Sequence, residues 1–214
     1  MIISEVPAKE AIEFVSKYHY AGSGTSGVAR YGWLTDDDEL VGVSIFDTGN
    51  HAMRQGPFGQ DNWSHVFHHQ RLAVHPSVPH GSTSQFLAGT LRALKRDRPD
   101  TWAVVTYADT DQGHVGTIYQ ATNALYTGVA TKGNLYFRTP EGTIATMQSL
   151  KRFGVWSERR EEAKRRGYIE CRSGGKHRYI YLLGDGRERR KLQKELLWPV
   201  LPYPKKESVE EAAA

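Results

Sequence analysis

The stretch "LAVHPSVPHGSTSQFLAGTLRAL", Leu72 to Leu94, decides the fold. Its start belongs to "HVFHHQRLAVHP" (65–76), which reads as a strand closed by Pro76, since proline has no amide to give a ladder. "SVPHGSTS" is a loop of glycine and hydroxyls. "SQFLAGTLRALKRDRP" then puts Phe86, Leu87, Leu91 and Leu94 on one helix face, with Pro99 after its end. The free amides of that helix's first turn carry the positive end of its dipole and suit a phosphate. Gly81 lets a ligand approach the backbone, and Ser82, Thr83 and Ser84 add hydroxyl donors. The loop lacks the GK[ST] of nucleotide hydrolases and the GxGxxG of dinucleotide sites. The plain alternative is that Ser82 or Ser84 simply caps the helix.

Outward from there, "TWAVVTYAD" (101–109) reads as a buried strand and "HVGTIYQATNALYTG" (114–128) as a short helix leading into a turn. Upstream, "KEAIEFVSKYH" (9–19) is an amphipathic helix, and "VARYGWLTDDDELVGVSIFDTG" (28–49) a hairpin about its acidic turn. Downstream come a strand "NLYFRT" (134–139), a charged helix "SERREEAKRRG" (157–167), a strand "HRYIYLLG" (177–184) and a helix "RERRKLQKELLWP" (187–199). Strands alternating with helices predict an α/β fold, a mixed central sheet flanked by helices. A single domain is expected over 1–200, with 151–200 as its basic part and 201–214 as a disordered tail.

The 214 residues are 39% hydrophobic and 11% aromatic, enough for a sizeable core. The one cysteine, Cys171, rules out an intrachain disulfide and paired-cysteine metal motifs. A reducing, cytoplasmic location is expected, with no signal peptide and no membrane span. Charge is unevenly spread. Residues 1–150 hold 11 Lys/Arg against 14 Asp/Glu, whereas 151–206 hold 17 against 7. Such a block suggests a polyanion partner, the rival being a salt-bridged surface helix. Its basic residues are interleaved with Phe153, Trp156, Tyr168, Tyr179 and Tyr181, a mixture that suits phosphate contact and base stacking. Arg159, Arg160, Lys164, Arg165, Arg166, Lys176 and Arg178 are the candidates for DNA contact.

"YADTDQGHVGTIYQATN" (107–123) concentrates the reactive groups. Asp109 directly follows a strand, where ligands of open α/β sheets bind. Its carboxylate can accept a hydrogen bond from an amino group, and His114 is the second candidate base. Asp109 and Asp111 are equally suited to capping the turn, and Tyr119 to an ordinary place in the core. Nine histidines are present, but the adjacent His68 and His69 would point to opposite faces of a strand and cannot share one ion.

Strand, phosphate-type loop, helix, strand, and helix with a central tyrosine resemble the core of the GNAT acyltransferases. The pieces "HYAG", "QRLAV", "STSQFLAGTLRAL", "YAD…GHVGTIYQATN" and "KHRYIYLL" together resemble the Mom family of bacteriophage DNA-modification proteins. The GNAT resemblance implies an acyl donor, acetyl-coenzyme A or an aminoacyl donor. Arg71, Leu72 and Val74 would hold its arm, and Gly81, Ser82, Thr83 and Ser84 its phosphates. It also implies Tyr119 as the acid for the leaving group, or as a holder of the acyl donor, with Ser84 and the loop amides gripping that donor. Asn123 stands where that family writes glycine. The Mom resemblance implies conversion of adenine to N6-carbamoylmethyladenine in phage DNA, protecting it from host restriction. The partner would be double-stranded DNA with a flipped adenine, its base pocket lined by His19, Tyr20 and Asn123, with Asp109 or His114 as base. An iron site of His and Asp is a further implication. Two other activities fit: a GNAT N-acyltransferase for a protein, tRNA or small amine, and a non-catalytic nucleic-acid-binding protein.

Overall fold

The computed structural model describes residues 1–20, 25–130 and 133–205. Within the span expected as one domain, the chain packs as two compact units. The first comprises residues 1–107, 116–128 and 178–214, and the second 108–115 and 129–177.

The first unit is built on a seven-stranded sheet. Its strands are β1 (Ile2–Glu5), β2 (Ala29–Leu34), β3 (Leu40–Asp47), β4 (Val66–Val74), β5 (Ala103–Asp109), β6 (Leu125–Ala130) and β10 (Lys176–Leu182). Their spatial order is β1-β2-β3-β4-β5-β10-β6. Strands β1 to β4 pair antiparallel, and β4 pairs parallel with β5. Helix α1 (Ala8–Tyr18) turns Ala11, Phe14 and Val15 onto Val43, Ile45 and Ala73. Helix α3 (Ser82–Asp97) buries the four expected apolar residues together with Gly89, Thr90 and Ala93. The short helix α2 (His51–Gln55) and helix α6 (Gly186–Glu195) contribute Met53 and Leu192 to a core around Val66, Val105 and Ile180. The five-residue helix α4 (Thr117–Ala121) follows Gly116.

The second unit holds a three-stranded antiparallel sheet of order β8-β7-β9, from β7 (Leu135–Arg138), β8 (Ile144–Thr146) and β9 (Ile169–Arg172). Helix α5 (Arg159–Arg165) closes its core of Phe137, Leu150, Phe153 and Ala163. The expected strand "NLYFRT" therefore exists, but in this separate sheet. Strands β1, β6, β8 and β9 were not expected. Each has three to six residues, so its pairing partner rather than its own pattern defines it. Residues 201–205, expected in a disordered tail, are held instead. The Leu201 amide donates to the Tyr126 carbonyl at 2.9 Å, and the Tyr203 hydroxyl to Ala124 O at 2.9 Å. The rest of that tail, 206–214, lies outside the described residues.

One glycine matters for the placement of α4. Gly116 has φ +76°, and a Cβ there would meet the ring of fully buried Tyr179 at 2.5–3.0 Å. Gly81, at φ +88°, has open space around it. Gly116→Ala should therefore cost roughly 2–4 kcal/mol, from left-handed strain plus overpacking, and Gly81→Ala only about 1–2 kcal/mol from strain. Urea unfolding of both variants measures the contrast.

Candidate functional site

The site in the first unit begins where β4 leaves β5. Their pairing covers Val66 with Ala103, Phe67 with Val104 and His68 with Val105, and among the described residues it goes no further. Strand β4 continues to Val74, bonded on its other side to β3. That second ladder is irregular. Ile45 stands opposite Arg71 and Phe46 opposite His69, so Gln70 is an extra, bulged residue. From His69 onward, β4 has a backbone edge that β5 does not fill. Arg71, Leu72 and Val74 lie on this stretch, and Arg71 Nη1 donates to Gln70 O at 2.8 Å. Gln70 Oε1 is buried and has no hydrogen-bond partner. A buried acceptor left alone costs about 1–3 kcal/mol, which an N–H of a ligand would recover.

The loop after β4 delivers the second component. Gly81, in the left-handed region, starts α3, and no side chain caps that end. Ser84 Oγ donates back to Gly81 O at 2.8 Å and Ser82 N to Pro79 O at 3.1 Å, so neither serine blocks the first-turn amides. Ser82, Thr83 and Ser84 are half-buried. These are features that suit the phosphates of a donor such as coenzyme A.

Beneath the open edge runs a buried polar chain that the sequence did not reveal. His69, 3% exposed, has its pKa pushed down to about 3, chiefly by burial, so its imidazole is neutral. Its Nε2 lies 3.1 Å from Ser44 Oγ and its Nδ1 3.4 Å from Thr106 Oγ1. Ser44 Oγ is 3.3 Å from Thr90 Oγ1, and Thr90 donates to Leu87 O at 2.9 Å. A neutral imidazole donates through one nitrogen and accepts through the other. Thr90 is placed to donate to Ser44 Oγ as well as to Leu87 O, which leaves the Ser44 hydrogen for His69 Nε2 and puts the ring proton on Nδ1, facing Thr106 Oγ1. Thr106 keeps its own hydrogen for the Tyr119 oxygen, a bond that lowers the phenol's pKa.

Tyr119 stands at the head of this chain. Its hydroxyl donates to Tyr107 O at 3.4 Å, and its ring packs on Tyr179 and edge-on to His69. Burial raises the phenol above its ordinary value, the Thr106 bond offsets part of that, and Tyr20 raises it further. Tyr119 thus keeps its proton at neutral pH, as an acid must. His19 ends α1 with its ring 4.4 Å from that of Tyr20, and His19 adds to the forces that keep His69 neutral. The structure therefore gathers His19 and Tyr20 near His69 and Tyr119. Asn123 is elsewhere, in a groove with Arg92, Lys95, Tyr181 and Arg189. Its φ of +60° explains its place in the sequence. The turn after α4 needs the left-handed region, which asparagine tolerates and glycine prefers.

In the second unit, Asp109 Oδ1 accepts from the Asp111 amide at 3.0 Å, capping a turn, and Oδ2 faces Lys176 Nζ at 3.5 Å. The His114 amide donates to Asp109 O at 3.1 Å, and its side chain is exposed. All seven expected DNA-contact residues have intramolecular partners. Arg160 binds Glu170 through two bonds of 2.6 and 2.7 Å. Lys164 pairs with Glu161 and Glu170, and Arg165 and Arg166 with Glu162. Arg159 holds Gly154 O and Met147 O. In the first unit, Arg178 lies 3.6 Å over the Trp198 ring and donates to Thr127 O. The expected iron finds no ligand set: among the described residues no three His, Cys, Asp or Glu gather to hold a metal. No described helix is long and apolar enough to cross a membrane.

A match to the Mom protein family runs over residues 1–205. The chain belongs to the Mom family. It is 29% identical over 136 residues to the methylcarbamoylase mom of Escherichia phage Mu, a match covering 63% of this chain. The match spans about half, 54%, of that relative's length. In fold, the chain is similar to a spermidine N-acetyltransferase chimera from Vibrio cholerae. The TM-score is 0.50 at 8% identity, covering 91% of this chain and 99% of that one. It also matches a GNAT-family acetyltransferase from Bacillus anthracis, with TM-score 0.46 and 12% identity over 84% and 93% of the two chains. This Mom-family chain therefore has the GNAT architecture, a mixed sheet flanked by helices, as expected.

Neutral His69 makes a testable demand. Its pKa is lower folded than unfolded, so between about pH 6.5 and 3 the unfolded chain takes up a proton that the folded one refuses. Stability falls with acid in that window, by about 1.4 kcal/mol per pH unit from this group. His69→Gln should remove that increment. Urea titrations of both proteins from pH 7 to 4 should show the variant's stability declining less steeply.

Proposed function

We propose that this Mom-family chain is a GNAT-fold transferase that modifies the amino group of adenine in DNA, giving N6-carbamoylmethyladenine. The reading rests on one observation. The family match embraces the open edge of β4, the uncapped start of α3 and Tyr119 together. Coenzyme A fits the residues present, and when bound it supplies an acyl group as a thioester. The β4 edge from Gln70 to Val74 would hold its arm, and Gly81 to Ser84 its phosphates. Gln70 Oε1 would accept from one of its amides. No metal step is included, since the described residues offer no ligand set.

Adenine N6 is a poor nucleophile, because its lone pair is delocalised into the ring. It needs an acceptor for its proton and an acid for the leaving group. Asp109, anchored by the Asp111 amide, is assigned as the acceptor, with His114 in reserve. Tyr119, protonated at the head of its hydroxyl–imidazole chain, is the acid. His19 and Tyr20 line the base pocket. A flipped base is required, because N6 is unreachable inside a duplex. The carbamoylmethyl product has a methylene on N6, whereas acyl transfer puts the carbonyl there; a two-carbon aminoacyl group supplies every atom of the product, and an isomerisation after transfer must exchange the ends, leaving the methylene on N6 and the amino nitrogen on the carbonyl.

A second reading uses the same donor site to acylate a protein, tRNA or small amine. The ion pairs of Arg160, Lys164 and Arg165 and the two carbonyls held by Arg159 favour it, because among the described residues that helix then offers no cation without a partner. Mass spectrometry of nucleosides from DNA of expressing cells separates the two. Carbamoylmethylated adenine is expected, and Tyr119→Phe should cut it by about 10²-fold or more, as for loss of a general acid. Unmodified adenine beside abundant folded protein would leave the second reading standing.

A further inference from the structure

Helix α6 carries a different kind of basic surface from α5. It starts at a full capping box: the Asp185 carboxylate accepts the Arg187 and Glu188 amides, and Glu188 Oε2 accepts the Asp185 amide. Leu192 is buried, which fixes the inner face. Arg187, Arg190, Lys191 and Lys194 follow at spacings of three, one and three, so all four lie on the side away from Leu192. All four are exposed. Among the described residues no carboxylate comes within ion-pair distance of Arg187, Arg190 or Lys194. Lys191 has only Glu195, at 3.9 Å. Arg189 turns its Nε towards Asp185 O at 3.4 Å and lines the neighbouring groove of about 680 Å³, as does Arg92.

The contrast with α5 decides the assignment. There Glu161, Glu162 and Glu170 neutralise Arg160, Lys164, Arg165 and Arg166 at 2.6–3.4 Å. On α6 one of the two glutamates is consumed by the cap, and four cations stand in a row. From Arg187 to Lys194 the row rises about 10 Å at 1.5 Å per residue. That is about three phosphate-to-phosphate steps of one DNA strand, at about 3.4 Å each along the axis.

We propose that the outer face of α6 is the surface that tracks the phosphate backbone of duplex DNA. This rests on the reading of DNA as the substrate. It assigns the backbone contact to residues in the first unit, leaving the α5 cations to hold their own sheet together. Phosphate contacts of this kind position a protein without reading sequence.

The test is fluorescence anisotropy of the full chain on a labelled 20-base-pair duplex across a series of salt concentrations. The variant R187Q/R190Q/K191Q/K194Q keeps Asp185, Glu188 and Leu192, and its melting temperature is checked against the parent. It should bind about tenfold or more weaker, with a log K against log salt slope shallower by roughly 3, at about 0.9 per phosphate contact. The control R165Q/R166Q should keep the parent's slope. Parental affinity and slope in the α6 variant would overturn the proposal. So would a parent that binds no duplex, or one that prefers tRNA to the duplex. This readout needs no chemistry. Missing adenine modification with an α6-dependent salt slope sinks the proposed function alone, and modification with an unchanged slope sinks this surface alone.

Discussion

Two parallel strands that stop pairing govern the first unit. A β-strand in mid-sheet satisfies its amides and carbonyls on both sides. β4 does so for three residues beside β5 and then on one side only. Backbone that leaves a ladder must find another partner, in a side chain, water or a ligand. The bulge at Gln70 falls immediately after the last paired residue, where an extra residue bends one strand away from its neighbour. The same bulge leaves Gln70 Oε1 buried and alone. One irregularity thus opens the sheet, supplies an edge for an extended ligand arm, and provides an acceptor with nothing in the protein to satisfy it.

The polar chain below the opening follows from the same geometry. His69 on β4 and Thr106 on β5, beyond the last paired residues, meet through their side chains, with Ser44 and Thr90 completing the set. A lone buried imidazole would be costly, but a neutral one with a partner at each nitrogen is satisfied. The chain's hydrogens run from Thr90 towards Tyr119, whose oxygen accepts from Thr106 and whose own hydrogen is given to the Tyr107 carbonyl. Fold, burial and protonation state are linked through this one sequence of contacts.

The large elements were legible because their patterns are long. Helix α3 shows its apolar face over three turns, and the hairpin β2–β3 is marked by its acidic turn. The phosphate-type loop was legible because glycine followed by hydroxyls has few other uses at a strand–helix junction. The bulge was not, since it exists only in the register between β3 and β4. The roles of His69 and Thr106 were hidden for the same reason: residues 37 apart in sequence meet only after folding. Strand β1 is four residues at an edge, and its pairing with β2 makes it a strand. The charge count found the basic block but could not show which helix neutralises itself.

The central claim is that the edge of β4 beyond its pairing with β5 and the start of α3 together hold the acyl donor. Amide hydrogen exchange with and without coenzyme A tests it most directly. The account predicts slower exchange within Gln70–Val74 and at Thr83–Gln85 on adding coenzyme A, with Val66–His68 unchanged because those residues are already paired. No slowing at β4, or slowing confined to the groove of Arg92, Asn123 and Arg189, would contradict it.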